Sequence, residues 1–96
     1  MYEITFSPAA ARYIEKIREK GLKSAFKEDF DSIAENPYIG IEKVGDLAGV
    51  YGLDVYYNKT NYEIAYRIYE DGDKLVVIIL AGTRENSYDE LKRYMK

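Results

Sequence analysis

The sequence predicts an α+β fold in one domain, residues 1–96: an antiparallel β-sheet with an N-terminal α-hairpin on one face and a short C-terminal helix. The chain has 96 residues, 47% of them hydrophobic, which is enough for one core but not for two. Strand, two helices, three strands and a helix follow one another, an order typical of α+β proteins. The run Lys74–Ala81 has no polar residue after its first, so it belongs inside the sheet with both faces covered.

The N-terminal third predicts a strand followed by the α-hairpin. Tyr2–Phe6 alternates apolar and polar residues, as a half-buried strand does. Ser7-Pro8 predicts the start of a helix, with a hydroxyl cap and proline at the first position. We expect Gly21 to end this helix. Apolar residues from Leu22 to Ile33 recur at helical spacing, and Asn36-Pro37 ends the second helix because the residue before proline avoids the α region.

The rest of the chain predicts an irregular segment, a three-stranded meander and the last helix. The first strand is expected to pair with the Leu75–Ala81 strand, since a strand inside a sheet needs a neighbour on each edge. The predicted elements, in order, are an irregular segment Tyr38–Gly49, a strand Val50–Tyr57, a turn Asn58–Asn61, a strand Tyr62–Tyr69, a turn Glu70–Asp73, the strand Lys74–Ala81 and a helix that starts near Ser87.

The amino-acid composition argues against several classes of function. The chain has no cysteine and no histidine, which removes disulfides, thiolate chemistry and the usual metal ligands, so no metal or cofactor is predicted. No stretch approaches the roughly 20 apolar residues that span a bilayer, and no secretory signal precedes the first strand, so we expect a cytoplasmic protein without membrane contact. The net charge of −3 argues against strong non-specific nucleic-acid binding but leaves a small local site open.

The sheet face opposite the α-hairpin is where a functional site is expected. By alternation, Asp54, Glu63 and Arg67 lie on that face, and Arg84 and Tyr88 reach it from the end of the last strand. We expect Arg67 and Arg84 to open onto one concave surface, where two guanidiniums suit a phosphate. The alternative is structural: a cross-strand network of Glu63, Arg67 and Asp54, with Arg84 bonded to loop carbonyls and Tyr88 in the core.

Several motifs, in this order, resemble the RelE/ParE superfamily of bacterial and archaeal toxins from type II toxin–antitoxin modules. The likeness covers nearly the whole chain, and a β-α-α-β-β-β-α order accompanies it. The motifs are Phe6-Ser7-Pro8-Ala9-Ala10, Asn36-Pro37, Asp46-Leu47-Ala48-Gly49, Tyr62–Ile68 and Leu80–Arg93.

The resemblance implies a small toxin that a cognate antitoxin neutralises. RelE-like members enter the ribosomal A site and cleave mRNA, whereas ParE-like members poison DNA gyrase without nuclease chemistry. In the nucleases, the 2′-hydroxyl attacks the adjacent phosphate; a C-terminal arginine stabilises the phosphate and a tyrosine four to six residues later assists. Arg84 and Tyr88 match those two positions.

Three positions depart from the nuclease pattern. Gly52 and Asp54 stand where the second strand usually carries lysine or arginine, and Glu63 stands where the third strand carries arginine. Arg67 is four residues from Glu63, roughly 13 Å along a strand. An anion in place of a cation beside a developing dianion costs several kcal/mol.

Three hypotheses follow. The first, slightly favoured, is a ribosome-dependent mRNA endoribonuclease with Arg84, Tyr88, Arg67 and Glu63 as catalytic residues, in which Glu63 or Glu85 is the base. The second is a DNA gyrase poison. The third is a protein that binds an antitoxin and has lost toxicity. The expected partners are therefore an antitoxin with the ribosome and mRNA, or an antitoxin with gyrase, and no small-molecule cofactor.

Overall fold

The computed structural model describes residues 1–94 and, within them, every side chain except those of Ser87, Tyr88 and Tyr94. Two 3₁₀ turns, Pro37–Ile39 and Gly45–Leu47, flank the second strand. The helices and strands, in chain order, are β1 (Glu3–Phe6), α1 (Pro8–Glu15), α2 (Lys20–Glu35), β2 (Ile41–Glu42), β3 (Tyr51–Tyr57), β4 (Thr60–Tyr69), β5 (Leu75–Thr83) and α3 (Arg84–Tyr94).

The strands form one sheet in the order β1-β5-β4-β3-β2. The predicted α+β fold is confirmed, and so is the position of β5 between β1 and β4. The sheet is antiparallel, as predicted, at every pair except one, because β1 runs parallel to β5. Ser7 holds the end of β1 in that direction: its N–H and its hydroxyl donate to the carbonyls of Ile78 and Ile79, at 2.9 and 2.5 Å.

The hairpin between β3 and β4 is tighter than predicted. Only Asn58 and Lys59 form the turn, with φ of 50° and 63°, and Tyr57 pairs with Thr60 across it. Two consecutive residues with positive φ give a two-residue turn whose twist matches that of the strands, and asparagine tolerates this conformation well. β4 therefore starts at Thr60, two residues before the predicted boundary.

The helix boundaries differ from the predicted ones at two places. Gly21 was expected to end α1, but it lies in the first turn of α2, and Tyr57 occupies the space that a Cβ at Gly21 would need. The absent side chain thus serves packing against β3 and not helix termination. α3 starts at Arg84, three residues before the predicted start. The Thr83 hydroxyl caps this helix, because it accepts the Asn86 N–H at 3.4 Å. Within residues 1–94, no helix is both long and apolar enough to cross a membrane.

Both faces of the sheet are partly covered, which narrows the surface left for function. The α-hairpin buries Phe26, Ile33 and Tyr66 with the first face. On the second face, Leu91 of α3 closes over a smaller core whose other members are Leu47, Val50, Ala65, Ile79 and Leu80. A bulge in β5 contributes, because Ala65 pairs with Leu80 and Tyr66 with Ile78, so Ile79 is the extra residue. Among the described residues, a cleft remains on the β2–β3 side of the second face.

Candidate functional site

A cleft of about 640 Å³ opens on the second face, between strands β3 and β4 and the chain that precedes them. We call that chain, residues 39–47, the wall segment. Gly52, Asp54 and Glu63 contribute to the floor, and Arg84 lines the cleft from the start of α3. The volume is in the range of small-molecule and substrate pockets.

The wall segment, which the sequence predicted as irregular, is fixed to the sheet along its length. The Gly40 N–H donates to the Tyr66 hydroxyl at 3.1 Å, and that hydroxyl donates to the Pro37 carbonyl at 2.7 Å. Burial raises the pKa of Tyr66 to about 12, so the hydroxyl stays protonated and able to donate at neutral pH. The Lys43 N–H donates to the Val50 carbonyl at 2.8 Å, and Leu47 is buried. The segment is therefore an ordered side of the cleft.

Arg84 reaches the cleft as the first residue of α3, directly after β5. Its Nη1 lies 3.3 Å from Oδ2 of Asp54, and the two side chains are 60% and 53% exposed. Ion pairs this exposed contribute little to stability and exchange readily for other partners. A guanidinium carries five N–H donors, so one carboxylate leaves donors for a phosphate. Arg84 is thus an accessible cation at the mouth of the cleft.

Glu63 lies in the cleft floor, where it is paired with a residue that the sequence interpretation missed. Its side chain is 7% exposed, and its Oε2 lies 3.0 Å from Nζ of Lys43. A Cβ added at Gly52 would lie 2.6 Å from that oxygen and 3.3 Å from Cε of Lys43. The pair thus occupies the space above Gly52. The sequence contained one signal for this pair, a glycine and a glutamate on neighbouring strands. The glycine leaves room beside the carboxylate for a long cationic side chain.

The remaining predicted site residues are placed differently. Arg67 is half-buried and is not among the residues that line the cleft; a Cβ added at Gly49 would lie 3.3 Å from its Nη1. Tyr88 lies one helical turn after Arg84, but its side chain is outside the described residues. Glu85 is exposed in the first turn of α3. The structure therefore brings Arg84 and Glu63 to one cleft and leaves Arg67 outside it.

The charges that line the cleft are mixed. Lys43 and Arg84 face three carboxylates, those of Glu42, Asp54 and Glu63. The Glu42 carboxylate accepts the N–H of Gly49, just after the wall segment, at 3.2 Å. Among the described residues, no group of three or more acidic side chains is arranged to hold a metal ion. The arrangement suits a ligand that carries both an anionic group and an uncharged surface.

The sequence matches one known protein family over nearly its whole length. The model of a family described as ParE-like toxins of type II bacterial toxin–antitoxin systems matches residues 4–92, which include every residue named above as lining the cleft. No curated protein sequence matches the chain.

Solved structures share the fold. A mutant of the E. coli toxin RelE in the free state has a TM-score of 0.71 and 23% identity over 96% of both chains. RelE in the intact E. coli RelBE toxin–antitoxin complex has a TM-score of 0.70 and 19% identity, over 86% of this chain and 96% of that one. The RelBE2 toxin–antitoxin complex of Mycobacterium tuberculosis has a TM-score of 0.66 and 26% identity, over 86% of this chain and 98% of that one.

Proposed function

The chain belongs to the ParE-like toxins of type II bacterial toxin–antitoxin systems, and from that premise we propose that it is a RelE-like, ribosome-dependent mRNA endoribonuclease that inhibits translation. The exposed guanidinium of Arg84 at the mouth of the cleft carries this proposal. The RelE fold of the similar structures supports it. Because similar structures include toxin–antitoxin complexes, we also propose a cognate antitoxin as the partner that neutralises the chain.

Arg84 fits the electrostatic part of the reaction. The 2′-oxygen of one nucleotide bonds to the adjacent phosphorus, and the bond from phosphorus to the 5′-oxygen of the next nucleotide breaks. A proton leaves the 2′-hydroxyl, and a proton joins the departing 5′-oxygen. The phosphorane between these steps carries two negative charges, which a guanidinium can stabilise with two parallel N–H donors. Asp54 holds Arg84 loosely enough to be displaced by that phosphate.

The proton transfers are assigned to carboxylates and to Tyr88. Glu63 lines the cleft, with Oε2 on Lys43, and Glu85 is exposed one residue after Arg84. We propose one of these two as the base, and Tyr88 as the group that orients the substrate or transfers a proton. Arg67 is left out of the proposed site because it does not line the cleft.

Expression of the chain in a bacterial host, with primer extension on a translated reporter mRNA, tests the proposal. We expect growth arrest and position-specific cuts. Arg84→Ala should reduce cleavage on purified ribosomes by about 10²–10³-fold, as the loss of one charge-stabilising donor does in other enzymes. Arg93→Ala is the matched control, since Arg93 lies on the same helix in an exposed ion pair with Glu90. Equal cleavage by the two variants would refute the role of Arg84.

A gyrase poison is the second candidate, favoured by two observations. The matching family model is named ParE-like, and carboxylates outnumber cations among the residues that line the cleft. Growth arrest with intact mRNA and inhibited DNA supercoiling would support this candidate over the nuclease. No growth arrest at all would leave a protein that binds its antitoxin without toxicity.

A further inference from the structure

We infer that the Lys43–Glu63 ion pair positions the wall segment opposite Arg84, so that Lys43 is a positioning residue for the nucleotide bound there; this inference deepens the proposed nuclease function and rests on it. Lys43 belongs to the wall segment and Glu63 to β4, and β3 lies between them in the sheet. The pair therefore reaches across β3 and connects the wall to the middle of the sheet.

The burial of Glu63 makes this connection strong. A carboxylate that is 7% exposed needs a partner, because a buried charge without one is strongly destabilising. Lys43 supplies that partner at 3.0 Å, and its own backbone N–H is held by the Val50 carbonyl at 2.8 Å. Lys43 is thus fixed at both its backbone and its charged end. Movement of the wall away from the sheet would break both contacts.

Gly52 provides the room that the pair needs. A methyl group at this position would lie 2.6 Å from Oε2 of Glu63, closer than a Cβ approaches an oxygen, and 3.3 Å from Lys43 Cε. The neighbouring atoms belong to the pair itself, so any side chain at residue 52 would push the carboxylate away from the ammonium. Gly52, Glu63 and Lys43 therefore form one mutually dependent arrangement on three parts of the chain.

The wall held in this way presents aliphatic side chains to the cleft. Ile41 and Val44 line it and are 80% and 87% exposed. An apolar surface next to an accessible guanidinium suits a nucleotide, whose phosphate binds Arg84 while its base packs on the aliphatic side chains. Such packing is tolerant of base identity, because every base has an apolar face. The wall is therefore expected to contribute to substrate binding, and Arg84 to the chemical step.

Hydrogen exchange of the full chain tests the positioning without requiring activity. Lys43→Met and Gly52→Ala should speed exchange of the amides in residues 41–47 by about tenfold or more, while β4 and β5 should lose protection only by as much as the fall in the free energy of unfolding requires. Exchanging the two residues, Lys43→Glu with Glu63→Lys, should restore protection because the pair is rebuilt with reversed polarity. Lys23→Met, on the exposed side of α2, is the control and should change nothing.

Cleavage kinetics on ribosomes test the functional consequence with the same variants. Lys43→Met and Gly52→Ala should raise KM by about tenfold, because they disturb the wall that binds the nucleotide, whereas Arg84→Ala should act mainly on kcat. The exchanged pair should recover most of the KM, which reports on the wall alone, since Glu63→Lys also removes one of the two candidate bases and can lower kcat.

Each outcome decides the inference. Unchanged exchange in Lys43→Met and Gly52→Ala would overturn it, as would an exchanged pair that folds but leaves the wall unprotected. If Lys43→Met unfolds the whole chain, Gly52→Ala and the exchanged pair still decide. A wild-type chain that does not cleave mRNA would refute the proposed function, while hydrogen exchange would still report whether the pair holds the wall.

Discussion

The cleft contains two ion pairs that have the same chemistry and opposite surroundings. Lys43 and Glu63 are 18% and 7% exposed and lie 3.0 Å apart, whereas Arg84 and Asp54 are 60% and 53% exposed and lie 3.3 Å apart. Water screens the second pair and competes for its hydrogen bonds, so it contributes about 0–1 kcal/mol. Water has little access to the first pair, so breaking it leaves a charge without compensation, at a cost of about 3–5 kcal/mol.

This difference separates two tasks within one site. A pair that is costly to break maintains geometry, and Lys43 with Glu63 keeps the wall segment on the sheet. A pair that exchanges readily leaves its cation available, and Arg84 can leave Asp54 for a phosphate. A count of charges alone, two cations against three carboxylates, would suggest a poor site for RNA. The burial of each pair indicates which cation a substrate can reach.

The largest expected effect on stability comes from breaking the buried pair. Lys43→Met should lower the free energy of unfolding by about 3 kcal/mol, because Glu63 is left buried without its partner. Urea denaturation followed by circular dichroism measures this value. Asp54→Asn, which breaks the exposed pair, should change the free energy of unfolding by less than about 1 kcal/mol. Equal losses in the two variants would show that burial does not distinguish the pairs.

The next effect concerns the Tyr66 hydroxyl, another contact that holds the wall segment. Tyr66→Phe keeps the buried ring but leaves the Gly40 N–H and the Pro37 carbonyl without their hydroxyl partner. We expect a loss of about 2 kcal/mol in unfolding free energy, the usual cost of unsatisfied buried polar groups. Tyr62→Phe, on the same face of β4 but only half-buried, is the control and should cost clearly less. A Tyr66→Phe variant as stable as that control would contradict the assignment.

Most of the fold was predictable because it depends on local patterns. The apolar run in β5 placed this strand inside the sheet, and the Ser7-Pro8 cap fixed the start of α1. The errors arose where a distant residue decides. Gly21 has the composition of a helix end, but its role is set by Tyr57, 36 residues later in the sequence. The parallel direction of β1 depends on its pairing with β5, about 70 residues away.

The site was predictable in part for the same reason. Arg84 follows the last strand directly, and chain order alone brings it to the end of the sheet. Lys43 lies 20 residues before Glu63 in a segment without periodicity, so nothing local links them. Gly52 and Glu63 were recognised as departures from the nuclease pattern, but only the structure shows that both belong to one arrangement with Lys43. The alternative of a surface network among Glu63, Arg67 and Asp54 differs from the structure, in which Glu63 is buried beside Lys43 and Asp54 pairs with Arg84.

A smaller effect is expected from removing the anion of the exposed pair. Asp54→Asn should increase the affinity for mRNA-loaded ribosomes by about threefold, since Arg84 no longer has a competing carboxylate, and the gain should fall as salt screens the wild-type pair. Single-turnover cleavage over a series of ribosome concentrations measures the change. The same substitution in an Arg84→Ala background should have no such effect. Weaker binding by Asp54→Asn would mean that Asp54 orients Arg84 for its ligand and does not compete with it.

The smallest effect extends the contrast between buried and exposed groups to two tyrosines. The pKa of Tyr38 is raised to about 12 chiefly by the hydrogen bond that its hydroxyl donates to the Glu70 carboxylate, whereas the pKa of Tyr66 is raised to about 12 chiefly by burial. Both values lie above the ordinary 10.0, so the stability linked to each hydroxyl is present below pH 10 and is lost as the pH rises through about 12.

Glu70→Gln should lower the pKa of Tyr38 towards 10.0 and leave that of Tyr66 unchanged, as followed by the tyrosine ring signals in an alkaline NMR titration. High salt should also lower the pKa of Tyr38 and leave that of Tyr66 unchanged, because dissolved ions screen an exposed carboxylate but do not reach a buried ring. A parallel shift of both tyrosines would mean that one shared charge, and not the difference in burial, controls them.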